Sequence, residues 1–135
     1  MTPSEKGSVS EAQLLAALVR TGHCVLVPYG DHKRYDLAID ENGALRRIQV
    51  KTGRLDNGVV IFKTASKATN KKHEGKWQNY EGSVDYFGVY CPQNAKCYLV
   101  PAEGCTKSDC YLRIDPVKNS RVYNSRWAKD YELGS

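Results

Sequence analysis

No stretch of this chain approaches the roughly twenty consecutive apolar residues that a membrane span needs. The opening Met1-Thr2-Pro3-Ser4-Glu5-Lys6 also lacks the apolar core of a secretory signal. The expectation is a cytoplasmic protein with no membrane partner. Close cysteine pairs are missing too. Cys24, Cys91, Cys97, Cys105 and Cys110 are five in number, an odd count that does not suit a disulfide framework. Their tightest spacings, C-x5-C and C-x4-C, are wider than the C-x2-C knuckles of structural zinc, so reduced thiols are expected. There is no internal repeat and no low-complexity tract, which leaves an ordinary folded domain.

What is present is a modest excess of positive charge. Lys and Arg number 20 against 15 Asp and Glu, a formal +5, enough to favour a polyanionic partner without establishing one. At 135 residues the chain suffices for one domain. Val9, Ala12, Leu15, Ala16 and Val19 recur at helical steps, and Gly22 supplies a stop; the pattern predicts an amphipathic helix from Ser8 or Ser10 to Arg20, with Glu11 in its first turn and Leu14 and Leu18 widening its apolar face. His23 to Val27 reads as a short buried strand. Tyr35–Ile39 and Leu45–Thr52 read as a hairpin about Asn42-Gly43, and Val59–Lys63 as a further strand of the same sheet. Tyr86–Tyr90 and Lys96–Val100 suggest a second hairpin, with Tyr111–Ile114 a last strand. Residues 66–78 read as a basic exposed loop or frayed helix, and residues 119–135 as a weakly helical tail. The nine tyrosines, Trp77 and Trp127 are assigned to core or sheet faces rather than to base stacking.

The chemistry concentrates on the first hairpin. Gln49 and Lys51 are two residues apart and share one face, Ile48 and Val50 point the other way towards the helix, and the turn brings Asp36 close to Gln49. A carboxylate oxygen of Asp36, the Gln49 side-chain carbonyl and the Val50 backbone carbonyl are hard ligands of the kind Mg²⁺ takes. Lys51 would stabilise charge growing on a phosphoryl group and help orient or deprotonate a water. An ordinary cross-strand ion pair between Asp36 and Lys51 is the plain alternative.

Asp36 followed by Gln49-Val50-Lys51, behind a helix bearing Glu11, resembles the PD-(D/E)XK nuclease superfamily. The strings Gly7-x-x-x-Glu11, Tyr35-Asp36-Leu37 and Gln49-Val50-Lys51-Thr52 are most similar to its small group I intron-encoded homing endonucleases. The likeness runs from about Lys6 to Arg54. Gln49 stands where the signature has Asp or Glu, and Tyr35 where it has Pro. The resemblance implies an α/β, restriction-endonuclease-like core: a mixed sheet of about five strands with the N-terminal helix packed on it, forming one nuclease domain over residues 1–135. It implies Mg²⁺-dependent hydrolysis of double-stranded DNA, with Mn²⁺ a possible substitute, by a homodimer or homotetramer; the lack of a span or signal leaves that protein cytoplasmic or nucleoid-associated. It also implies that Glu11 joins the metal cluster; by itself Glu11 would be a first-turn residue matched to the helix dipole. A Holliday junction resolvase acting on branched DNA, and a catalytically inactive DNA-binding module, are the alternatives. Lys33, Arg34, Arg46, Arg47, Arg54, Lys67, Lys71, Lys72 and Lys76 are the expected phosphate contacts.

Overall fold

The structure, a computed structural model, describes residues 1–30, 34–64, 66–67, 77–78, 84–105, 108–115 and 125–134; for residues 66, 67, 77, 78 and 125 it describes the backbone. Lys33, Lys71, Lys72 and Lys76 lie outside the described residues, as does the Lys67 side chain.

Helix α1 spans Pro3–Arg20 and begins well before the expected Ser8. Thr2 caps it reciprocally with Glu5, and Pro3 takes the first helical position, where a missing N–H costs nothing. The apolar periodicity hid this start because residues 1–9 are exposed. Glu11 therefore sits two turns inside the helix, not in its first turn, and has no part in balancing the helix dipole. The buried face is also rotated from expectation. It is Ser10, Leu14, Ala17 and Leu18 that face the sheet, while Val9, Ala12, Ala16 and Val19 are exposed.

Five strands follow the helix in one mixed sheet: β1 (Cys24–Leu26), β2 (Leu37–Glu41), β3 (Ala44–Thr52), and then, after an excursion, β8 (Tyr86–Cys91) and β9 (Lys96–Pro101). Their order is β1-β2-β3-β8-β9, with β3 and β8 parallel and the other pairs antiparallel. β1 is an exposed edge strand rather than a buried one, since only Val25 turns inward. Asn42 and Gly43, at φ 54° and 92°, make the left-handed two-residue turn that matches strand twist and fix the β2–β3 register.

The excursion builds a second sheet the sequence reading did not foresee. β4 (Arg54–Asp56) and β5 (Val59–Lys63) pair with β10 (Asp109–Arg113) and β11 (Ser125–Trp127) in the order β11-β10-β5-β4. β5 therefore belongs to this sheet, not to the first. Within the basic segment, β6 (Ser66–Lys67) pairs with β7 (Trp77–Gln78). These segment ends are strands, not a loop or frayed helix. The described part of the tail is β11, a 3-10 turn at Ala128–Asp130 and a bridge from Glu132 to Tyr98, in place of the expected weak helix. Trp127, on β11, is 40% exposed and packs against Arg113 and Lys129 at the sheet surface rather than in the core.

The first sheet is buried on both faces. Leu37, Ile39 and Ile48 meet Leu14, Ala17 and Leu18 of α1, whereas Phe87, Val89 and Val100 meet Val60, Phe62 and Leu112 of the second sheet. Gly88 sets the helix approach: a Cβ there would lie 2.9 Å from Leu14 Cδ1 and 3.0 Å from Ile48 Cγ2. Gly88→Ala should cost about 2 kcal/mol by overpacking, read as a lower midpoint of urea unfolding.

Candidate active site

Strand β3 is longer than β2, and the site lies in the space this leaves. The last β2–β3 pair is Leu37 with Ile48, so Asp36, one residue earlier, falls opposite Gln49, as the hairpin reading expected. The Asp36 N–H donates to the Ile48 carbonyl at 2.8 Å. Its Oδ2 accepts the Val50 backbone N–H at 2.8 Å and the Gln49 Nε2–H at 3.0 Å. Because a strand's N–H groups lie in the sheet plane, a carboxylate that accepts one lies in that plane. It can then be approached from both layers. Gln49 and Lys51 face the second sheet, and Ile48 and Val50 face α1.

Charge ties the other two residues to this carboxylate. Burial pushes Asp36 above the ordinary carboxylate range, and the Val50 N–H and the Lys51 ammonium only partly offset it. Glu11 is also raised, first by burial and then by the negative charge of Asp36. The fold thus brings Glu11, Asp36, Gln49 and Lys51 into one electrostatic neighbourhood. Two carboxylates with raised proton affinity, one of them raised in part by the charge of the other, are a donor set that a divalent cation relieves. Among the described residues no group of three or more His, Cys, Asp or Glu gathers for a metal, at this site or elsewhere, so a cation here would need amide and carbonyl oxygens beside the two carboxylates. The chain's donors fit a hard cation, provided the Gln49 amide turns to present its oxygen. That rotation exchanges two nearly isosteric ends.

The groove beside the carboxylates extends the site. It encloses about 1010 Å³ and, among the described residues, is lined by four cations, Lys6, Lys51, Arg54 and Lys63, against one carboxylate, Asp109. Lys51 joins groove and carboxylates. Lys6 and Lys63 escaped the sequence reading. Lys6 lies one helical turn before the buried Ser10, which the Thr2 to Glu5 capping signal would have revealed; Lys63 faces the groove through the unforeseen second sheet. Of the other expected phosphate contacts, Arg34 is exposed. Arg46 and Arg47 each approach an acid, Glu41 at 3.7 Å and Asp85 at 3.6 Å, and Arg54 lies 3.8 Å from Asp56. These exposed pairs are individually weak and would yield to a phosphate.

All five cysteines are free thiols. No helix among the described residues is long and apolar enough to cross a membrane.

A family model described as PD-(D/E)XK endonuclease matches residues 1–134. Among solved structures, the bacterial homing endonuclease I-Ssp6803I is similar in fold, with a TM-score of 0.73 at 22% identity over 98% of this chain and 89% of that chain. No curated protein matches the sequence.

Proposed function

Because the chain belongs to the PD-(D/E)XK endonuclease family, we propose that it hydrolyses phosphodiester bonds of double-stranded DNA at Asp36, with Gln49, Lys51 and Glu11 completing the site. The observation that carries this reading is the Asp36 carboxylate, held by Val50 and Gln49, with the Lys51 charge acting on it and its own charge acting on Glu11. A divalent cation, Mg²⁺ or in its place Mn²⁺, held by Asp36, Glu11, the Gln49 side-chain carbonyl and the Val50 carbonyl, supplies Lewis acidity towards the scissile phosphate and the attacking water. Asp36 keeps the Val50 N–H when the Gln49 amide turns, and that bond holds the carboxylate in one orientation for ligation. Lys51 carries positive charge to the phosphoryl oxygens as charge develops there, and orients the water. Lys6, Arg54 and Lys63 draw the DNA backbone along the groove, and Arg34, Arg46, Arg47 and the basic segment around Lys67 to Lys76 extend that contact.

The fold shared with a homing endonuclease supports site-specific, double-strand cutting. Each strand of a duplex needs its own active centre, so a homodimer or tetramer of this single nuclease domain is the working form. Incubation with supercoiled plasmid and with a synthetic four-way junction, with Mg²⁺ and with chelator, tests this. Mg²⁺-dependent cutting of duplex at few sites is the expected result. Junction cleavage regardless of sequence would make the protein a resolvase. A gel shift on duplex without cleavage of either substrate would leave a DNA-binding module that has lost its chemistry at Gln49.

The neutral amide at position 49 gives its own prediction. Gln49→Glu places a third carboxylate against Asp36, so it should tighten Mg²⁺ binding about tenfold, seen as cleavage saturating at lower metal concentration. The same change should lower metal-free stability by about 1 kcal/mol through like-charge repulsion.

A further inference from the structure

Two of the cysteines are placed for chemistry the nuclease reading does not use. The turn after β9 folds back so that Cys105 Sγ lies 3.8 Å from Cys110 Sγ on β10 and 3.4 Å from the Pro101 carbonyl. Arg126 of β11 holds that turn: its guanidinium donates to the Pro101 carbonyl at 3.0 Å and the Glu103 carbonyl at 2.7 Å and packs near the Tyr131 ring. The Cys105 N–H donates to the Ala102 carbonyl, which fixes the thiol over Cys110. Cys105 is half-buried and Cys110 buried, so one sulfur is within reach of a small molecule and the other waits behind it.

We infer that Cys105 and Cys110 form a reversible dithiol–disulfide site, oxidised by a hydroperoxide, with Cys105 the attacking sulfur and Cys110 the resolving one. To bond, the sulfurs need to close from 3.8 Å to about 2.05 Å. In the first step the Cys105 thiolate attacks the peroxide. An S–O bond forms, the O–O bond breaks, and the departing hydroxide, or alkoxide from an organic hydroperoxide, is protonated to water or the alcohol. In the second the Cys110 sulfur attacks the sulfenic sulfur of Cys105. The S–S bond forms, the S–O bond breaks, and the leaving hydroxide takes the Cys110 proton to become water. The two thiols lose two electrons and the peroxide gains them. The hydrogen bond from Cys110, and then the Arg126 charge, outweigh burial and bring Cys105 down to about 7, while Cys110 is pushed up and keeps its proton. Cys97, pushed up to about 11 mainly by burial, is a poor competitor.

Peroxide treatment followed by tryptic mass mapping tests this. Trypsin separates residues 97–107 from residues 108–113 at Lys107, so the bond appears as a linked peptide pair lighter by two hydrogens. The link should form in wild type and in Cys24→Ser, vanish in Cys105→Ser and Cys110→Ser, and revert with dithiothreitol. Iodoacetamide labelling of Cys105 in reduced wild type should rise through about pH 7. Consumption of exposed Cys24 with residues 97–107 and 108–113 unlinked would overturn the inference. So would Cys105 labelling that rises only at the pH of an ordinary thiol. Both readouts use wild-type protein and are independent of cleavage activity.

Discussion

Lys51→Ala should lower the single-turnover rate of Mg²⁺-dependent DNA cleavage by about a thousandfold, with DNA affinity changed less than about fivefold. The asymmetry follows from where Lys51 sits. It shares a face with Gln49, two residues along β3, and its charge acts on the half-buried Asp36 carboxylate. It also lines the cationic groove with Lys6, Arg54 and Lys63, which remain to hold the backbone when it is removed. Removing a positive group aimed at developing negative charge in a partly desolvated site typically costs several kcal/mol of barrier, whereas one phosphate contact among several costs little binding. Lys51→Arg keeps the charge, but its planar fork cannot reproduce a compact ammonium, so it should recover only part of the rate. Cleavage by Lys51→Ala within about tenfold of wild type would remove Lys51 from the chemistry.

Asp36→Asn should abolish cleavage and, in chelator, make the protein more stable at neutral pH by about 1 kcal/mol, the range usual for relieving a strained functional group. Burial, only partly offset by the Val50 N–H and Lys51, holds Asp36 above its ordinary range. The folded chain therefore retains a proton that the unfolded chain has released. Its stability is greatest below the ordinary carboxylate pKa and falls as pH rises from there through the raised folded value. Glu11 adds to the decline, because it is raised by burial and by Asp36 itself. An asparagine at position 36 cannot ionise, still offers the Val50 N–H an acceptor, and lifts the repulsion from Glu11. Melting curves in chelator between about pH 4 and 8 should fall for wild type and stay flatter for Asp36→Asn. Mg²⁺ should raise the wild-type curve at the upper end and leave the variant unmoved.

The hairpin was legible because its turn is local. Asn42-Gly43 fixes the β2–β3 register, and that register alone puts Asp36 opposite Gln49 and leaves Lys51 on the same face as Gln49. The parallel partner β8 was legible as a strand but not as the neighbour of β3, since Ile48 and Tyr86 meet only after a long excursion. The second sheet was hidden for a different reason. β4 is Arg54-Leu55-Asp56, exposed throughout, with no apolar alternation to announce it. Without that sheet Lys63 cannot be placed in the groove. Nor do local patterns reveal ion partners, as Arg47 shows: its Asp85 comes from the far side of the excursion.

The most direct test of the central claim is single-turnover cleavage of end-labelled duplex DNA cut from a plasmid that the wild-type protein linearises, run with wild type, Asp36→Asn and Lys51→Ala at rising Mg²⁺. Cleavage by wild type that saturates with metal, is silenced by chelator, and is lost in both variants while their gel shifts persist is the predicted result. Undiminished cutting by Asp36→Asn, or cutting that ignores chelator, would place the chemistry somewhere other than the end of the first hairpin.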